Sequence, residues 1–336
     1  MHYLLLFSLL FLSLYANESL RQKALSKGLK SIPLDYETLK SQVDDKDNPM
    51  TLEKIQLGRK LFNDKNLSLD RTISCASCHN IKKGGEDSIP TAIGYMHQKN
   101  PKHLNTPTVL NTAYSKHFFW DGRASSLREQ AKGPMQAHFE MASTPKLIEK
   151  RTGMSFNEVT SAIAVYEKTL VTRGRFDEFL DGDDNALSKQ EKRGLNLFID
   201  MGCKGCHFGT SVGGQRIQKF PLRDYNSILN LTTTFNEKTK GRDVKNFSIR
   251  FKMYKPYPFA NIGGFLGKNA NKEFRVPILR NISKTAPYFH NGIVKSLREA
   301  IKYMSKYQIG VELEKDQLDA LEAFLKSLDG DIVKYN

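Results

Sequence analysis

Cys75-Ala-Ser-Cys78-His79 and Cys203-Lys-Gly-Cys206-His207 are two copies of one five-residue frame, and together they contain all four cysteines of the 336-residue chain. Two Cys-x-x-Cys pairs alone are compatible with a redox dithiol or with a four-sulfur zinc cluster. The histidine that follows each pair argues against both, because in Cys-x-x-Cys-His the thiols form thioethers to haem vinyl groups and the imidazole becomes the proximal iron ligand. The sequence therefore predicts two covalently bound haems c.

The chain also contains an internal repeat. Eight residues that follow the first frame recur 170 positions later, without a gap. The first copies are Pro107, Asn111, Phe119, Gly122, Ser126, Leu127, Arg128 and Glu129, and the second are Pro277, Asn281, Phe289, Gly292, Ser296, Leu297, Arg298 and Glu299. A Gly-x-x-Leu-Phe segment also precedes each frame, at Gly58–Phe62 and Gly194–Phe198. Two related haem domains are predicted, which differ chemically where Trp120 and His290 take equivalent places.

The composition and the first residues indicate an exported globular protein. A chain that is 39% hydrophobic and 26% charged can bury a sizeable core, which excludes disordered and fibrous classes. Residues 1–16 carry no Asp, Glu, Lys or Arg, and the apolar run Leu4–Leu14 is too short to span a bilayer. A cleaved secretory signal over residues 1–16 and a periplasmic location are expected, with an uncleaved amphipathic anchor as the alternative.

The formal net charge of +15 predicts a basic surface, which is typical of proteins that meet nucleic acid, an anionic membrane or an acidic protein. No run of five or more Lys or Arg occurs, and the basic residues are interleaved with acidic ones. Since an exported protein seldom meets nucleic acid, no nucleic-acid partner is predicted. An anionic membrane and an acidic protein partner stay open, and a solvated mixed surface is the simplest interpretation of most of the basic residues.

Local signals predict a mainly α fold of two cytochrome-c-like haem domains with long loops and little strand. Four Ser-x-x-Glu sequences fit capping boxes, and they begin at Ser126, Ser155, Ser188 and Ser296. Apolar helical stripes run over Phe156–Tyr166 and Leu318–Leu328, whereas Phe208–Glu273 shows no clear periodicity and is expected to form loops. The polar turn Asp181–Asn185 predicts domains at residues 17–182 and 183–336.

The distal side of each haem is left open by the composition. The histidines available as distal ligands are His97, His103, His117, His138 and His290. The available methionines are Met50, Met96, Met135, Met141, Met154, Met201, Met253 and Met304. A single His or Met is more often a surface or packing residue than a ligand, so the residue types alone do not choose among them.

Three longer motifs carry a resemblance to a known family. They are Asn105-x-Pro107-Thr108-Val109-Leu110-Asn111, Phe119-Trp120-Asp121-Gly122-Arg123 and Thr285-Ala286-Pro287-Tyr288-Phe289-His290-x-Gly292. Together with the paired haem frames they resemble the bacterial di-haem cytochrome c peroxidases, in order, from Leu57 to Gly330. The resemblance implies an enzyme that reduces hydrogen peroxide to water with two electrons from a small soluble cytochrome c, and it also implies a homodimer.

The resemblance implies unequal ligands for the two irons. It assigns His97 as the distal ligand of the first haem, with His103 as the reserve candidate, and Met304 as the distal ligand of the second. A methionine ligand raises the haem potential and two imidazoles leave it low, so one haem would store an electron while the other meets the oxidant. In the implied cycle, His97 leaves its iron once the second haem is reduced.

The resemblance also implies the remaining site residues. It assigns Glu140 as the catalytic acid that moves the peroxide proton, with Gln130 beside it, and Trp120 as a bridge for electrons between the haems. It further implies a calcium ion held by Asn105 and by the backbone carbonyls of Thr285 and Pro287, since oxygen ligands suit this hard cation.

Two other functions stay open at this point. One is a non-enzymatic di-haem electron carrier, for which replacing Glu140 would change nothing. The other is a related haem enzyme that oxidises a protein side chain. Enzymes of that kind carry Tyr where the resemblance assigns Met304, so Met304 argues against this second alternative.

Overall fold

The computed structural model describes residues 18–222 and 259–335. The predicted signal segment 1–16 and the candidate Met253 lie outside the described residues. Within those residues, no helix combines the length and the apolar composition that crossing a bilayer requires.

The described chain is mainly helical, as the sequence predicts, with only short strands. The helices are α1 (Leu20–Ser26), α2 (Tyr36–Val43), α3 (Leu52–Phe62), α4 (Cys75–Cys78), α5 (Leu127–Gln136), α6 (Pro145–Thr152), α7 (Phe156–Lys168), α8 (Arg175–Asp181), α9 (Lys189–Asp200), α10 (Leu297–Met304) and α11 (Lys315–Ser327). The strands are β1 (Thr172–Gly174), β2 (Ile217–Lys219), β3 (Glu273–Arg275) and β4 (Gly330–Ile332), paired antiparallel as β1 with β4 and β2 with β3.

The four helix starts predicted from Ser-x-x-Glu are confirmed at α5, α7, α9 and α10. Ser155 and Ser188 form complete capping boxes, in which the serine oxygen accepts from a backbone N–H and the glutamate accepts from the serine N–H. Ser126 caps α5 in the same way, but the carboxylate of Glu129 accepts from the N–H of Ser125 instead. In each of these four helices the predicted serine therefore satisfies one of the orphan N–H donors of the first turn.

Each half of the molecule contains a helix crossing that only glycine permits. Where α3 crosses α7, a Cβ on Gly58 would lie 1.9 Å from the carbonyl oxygen of Ala162. Where α9 crosses α11, a Cβ on Gly194 would lie 2.0 Å from the carbonyl oxygen of Ala320. The Gly-x-x-Leu-Phe repeat of the sequence thus corresponds to two equivalent close helix contacts.

The two halves are related by a local two-fold arrangement. The equivalent strands β1 and β4 pair with each other about the register Arg173↔Asp331. The side chain of Asn111 accepts from the N–H of Thr172, and that of Asn281 accepts from the N–H of Gly330. Both asparagines have positive φ, at 62° and 59°. The repeat therefore brings the two halves together in one continuous structure.

The chain ends cross between the halves. Ala24 and Leu29 of the α1 region belong to the hydrophobic cluster built mostly from the second half, and Lys23 forms an ion pair with Asp200 on α9. At the other end, Val333 and Tyr335 pack with the cluster of the first half. The division into residues 17–182 and 183–336 stays a prediction, and both terminal segments pack across it.

Candidate functional site

A cavity of about 260 Å³, called the second cavity below, lies beside the second cysteine frame. Cys203, Cys206 and His207 border it, and so does Met304 at the end of α10. Apolar side chains of α9, α10 and α11 border it, together with residues of the segments 105–108 and 275–289. The fold thus brings the predicted distal methionine to the cavity that contains the second frame.

The chemistry of the second frame suits a haem c. Burial raises the pKa of Cys203 to about 11 and lowers the pKa of His207 to about 4, so the imidazole is neutral at ordinary pH. A neutral imidazole is the form that ligates iron. Cys203 packs with the cluster of the second half and Cys75 with that of the first, so the two pairs do not meet. That separation argues against a four-sulfur zinc cluster.

The first frame has an oriented histidine. Cys75 and Cys78 begin and end the short helix α4, and Nδ1 of His79 lies 3.1 Å from the carbonyl oxygen of Gly85. A hydrogen bond there makes Nδ1 the donor and leaves Nε2 as the ligating nitrogen. Burial lowers the pKa of His79, which keeps this ring neutral as well.

Glu140 lies near the first frame, in the turn that follows α5. Burial raises the pKa of the Cys78 thiol to about 11, and the charges of Asp87 and Glu140 raise it further. Burial also raises the pKa of Glu140, against the opposing charge of Arg123. Gln130 lies on α5, and no hydrogen bond joins its side chain to Glu140 among the residues that the structure describes.

The segment that carries His97 is a tight loop resting on Glu140. The N–H of Tyr95 donates to the carbonyl oxygen of Glu140 at 2.8 Å, and a Cβ on Gly94 would lie 2.6 Å from the Cα of Glu140. His97 has a φ of 57° and an exposed side chain. The reserve candidate His103 is partly buried, and its carbonyl oxygen accepts from the side chain of Asn261. The loop and the predicted catalytic acid are therefore in direct contact.

Trp120 lies buried where the two halves meet. Its Nε1 donates to the carbonyl oxygen of Asn105 at 2.7 Å, and its ring meets His290 edge-on at 6.3 Å. The N–H of Asn105 donates to the carbonyl oxygen of His290, and the N–H of Arg275 donates to that of Trp120. Because Asn105 and Arg275 are also 170 residues apart, these two bonds are repeat-related copies of each other.

The residues predicted for calcium border a common space. Asn105, Thr285 and Pro287 all border the second cavity. Asn105 is buried, and its Nδ2 donates to the carbonyl oxygen of Ile89. Its Oδ1 accepts no hydrogen bond from the described residues. An amide oxygen that accepts no such bond at the edge of a cavity is chemically suited to a hard cation.

Three charged residues were assigned no role from the sequence. Arg275 and Glu167 are buried, and Arg123 is exposed above the ring of Phe119. Burial raises the pKa of Glu167 to about 8, and its counterpart in the repeated helix pair is Leu325, which borders the second cavity. The 170-residue repeat contained a signal for Arg275, because it pairs this residue with Asn105 of the first motif.

The sequence is similar to a known family over much of its length. A family profile described as di-haem cytochrome c peroxidase matches residues 52–153. The chain is 37% identical to cytochrome c551 peroxidase of Pseudomonas aeruginosa over 323 residues, which cover 90% of this chain and 84% of that protein. It is 38% identical to cytochrome c551 peroxidase of Nitrosomonas europaea, with coverage of 84% and 82%.

A solved structure is similar in fold. The crystal structure of a MauG-like protein associated with microbial copper homeostasis matches with a TM-score of 0.67. The two share 24% sequence identity, and the match covers 90% of this chain and 93% of that one. This likeness agrees with a mainly α architecture over both halves.

Proposed function

Because this chain belongs to the di-haem cytochrome c peroxidase family, we propose that it reduces hydrogen peroxide to water with two electrons from a small cytochrome c. The observation that carries the proposal is the unequal surroundings of the two frames. Met304 ends α10 and borders the second cavity, whereas the residue 170 positions earlier is Pro134, inside α5. Proline has no side chain that ligates iron, so the first half has no counterpart of Met304 at the repeat-related position.

The haems would be held by the four cysteines, with His79 and His207 as proximal ligands. When bound, they supply two irons, one to meet peroxide and one to accept and pass on electrons. A sulfur ligand from Met304 favours electron storage in the second half. The buried, neutral state of both histidines supports this assignment.

Glu140 would act as the general acid-base group. As a carboxylate it accepts the proton from the near oxygen of hydrogen peroxide, and as a carboxylic acid it returns that proton to the far oxygen, which leaves as water. A pKa raised by burial brings this group closer to the pH at which it works. Gln130 is proposed to orient the peroxide beside it.

His97 would leave the first iron before peroxide binds. Because Tyr95 is hydrogen-bonded to the backbone of Glu140, a movement of this loop also moves the turn that carries the acid. Loop movement and acid placement would thus be coupled.

The remaining assignments are parts of the same proposal. Electrons would pass between the halves by way of Trp120, and a calcium ion would bind to Asn105 with the carbonyls of Thr285 and Pro287. The donor would be a small soluble cytochrome c with an acidic docking face, in keeping with the net charge of +15. A periplasmic location and a homodimer complete the proposal.

The test combines haem spectra of the oxidised and half-reduced protein with peroxide turnover by a reduced cytochrome c. We expect two covalent haems, a first iron that becomes five-coordinate on half-reduction, and turnover with two cytochromes oxidised per peroxide. Two irons that stay six-coordinate at every redox level, without turnover, would identify an electron carrier instead. Oxidation of an added protein without cytochrome turnover would identify the side-chain-oxidising alternative.

A further inference from the structure

Arg275 is a buried cation for which the described residues provide no acidic partner. Arg275 is 5% exposed and borders the second cavity, and burial lowers the pKa of its guanidinium to about 10. Its Nε donates to the carbonyl oxygen of Phe119 at 3.3 Å, and its guanidinium lies 5.9 Å from the centre of the Trp120 ring. Among the described residues, no carboxylate forms an ion pair with it.

Another buried arginine shows what such a cation ordinarily requires. Arg280 is 1% exposed, and its two terminal nitrogens donate to both carboxylate oxygens of Asp177 at 2.8 Å. A buried charge is costly unless it is paired, and a guanidinium fork matches a carboxylate with two parallel bonds. Arg275 has the same fork beside a cavity, but no acid of the described chain fills it.

We propose that Arg275 binds a carboxylate of the group that occupies the second cavity, namely a propionate of the second haem. The inference rests on the proposed function, because it requires a haem bound at Cys203 and Cys206. Arg275 would be a positioning residue of the second half alone, because the repeat places no arginine at the equivalent position of the first half. The equivalent place in the first half holds Asn105, which is neutral.

The arrangement gives the second half a fixed positive charge beside its electron-storing group. A nearby cation stabilises the reduced form of a haem over the oxidised form, and it does so more strongly in a low-dielectric cavity than in water. Arg275 therefore reinforces the potential difference that Met304 sets up. Its contact with Trp120 places the same charge at the proposed electron bridge.

The experiment uses the full-length holoprotein and compares Arg275→Gln with Arg275→Lys. Arg193→Gln is the matched control, since Arg193 is an exposed arginine of the same half that is paired with Asp316. Three quantities are measured: covalent haem per chain, the midpoint potential of the second haem, and the propionate bending modes in its resonance Raman spectrum.

We expect Arg275→Gln to keep two haems, to shift the propionate modes, and to lower the second potential. The expected change is about tenfold in the equilibrium constant for electron exchange between the second haem and a fixed donor, which corresponds to about 59 mV for one electron. Arg275→Lys should retain most of the potential but shift the modes, because an ammonium cannot form the two-bond fork. Arg193→Gln should leave all three quantities unchanged.

Wild-type propionate modes and potential in Arg275→Gln would overturn the proposal. If Arg275→Gln fails to retain haem, Arg275→Lys decides in its place, and unchanged modes in that variant overturn the proposal equally. Peroxide turnover of the wild-type protein is measured separately. A protein with the expected modes but no turnover would contradict the proposed function and leave the arginine contact supported.

Discussion

The two halves share a scaffold but differ at the side chains that would surround their haems. Both have a helix crossing closed by glycine, an asparagine with positive φ, and a serine-capped helix after the second motif. The equivalent positions that differ, first half before second, are Asn105 and Arg275, Trp120 and His290, Pro134 and Met304, and Glu167 and Leu325. The two halves therefore share a backbone scaffold, and these substitutions are the candidates for the difference between the two proposed tasks.

The largest expected effect comes from removing Glu140, the proposed catalytic acid, which has no equivalent in the second half. We expect Glu140→Gln to lower kcat/KM for peroxide by about 10²–10⁴-fold, because an amide cannot accept and return the proton. Reduction of the second haem by the donor should keep its rate, as measured by stopped-flow absorbance. Glu178→Gln, at an exposed position on α8, is the control and should retain wild-type turnover. A loss below about threefold in Glu140→Gln would contradict the assigned role.

The next largest effect is expected when the proposed methionine ligand of the second haem is replaced by histidine, which would give that haem two imidazole ligands. We expect Met304→His to lower the potential of the second haem by on the order of 0.1 V or more, within the range that axial ligands control. Spectroelectrochemistry of the holoprotein measures it. Met201 borders the same cavity. Met201→Leu therefore tests whether Met201, and not Met304, supplies the sulfur ligand of the second haem. Loss of the high potential in Met201→Leu but not in Met304→His would reverse the ligand assignment.

A smaller effect tests whether the shared scaffold is equally tight in both halves. We expect Gly58→Ala and Gly194→Ala each to lower the free energy of unfolding by about 1–3 kcal/mol, because the added methyl overlaps the carbonyl of the facing helix. Denaturant unfolding of the holoprotein measures this. Asn157→Ala, at an exposed position on α7, is the control. If one crossing tolerated alanine, the helix contacts would not be equivalent.

The sequence predicted the scaffold well, because the scaffold depends on local and repeated signals. Serine caps, apolar stripes and the glycine segments all correspond to observed elements. It could not predict that α1 packs on the second half, since that depends on contacts between residues far apart in the chain, such as Lys23 and Asp200. Nor could it reveal the burial of Arg275 and Glu167, because charged residues are usually exposed and burial is a property of the folded chain.

The smallest expected effect concerns a charge that only the first half possesses. Arg123 lies over the ring of Phe119, forms an ion pair with Asp121, and lowers the pKa of Glu140 against the larger effect of burial. Its equivalent in the second half is Ile293. Removing the cation in Arg123→Gln should therefore raise the pKa of Glu140, while Arg123→Lys should keep it close to the wild-type value.

In the proposed role, the carboxylate form of Glu140 begins the reaction, so activity should be lost as the pH falls through this pKa. A higher pKa consequently moves the acidic limb of kcat/KM for peroxide to higher pH, while the rate well above that limb stays the same. A pH profile of peroxide turnover, collected for the wild type and both variants, measures the position of the limb. An unchanged limb in Arg123→Gln would mean that Glu140 does not control it, and the acid-base role would then have to belong to another group in the first half.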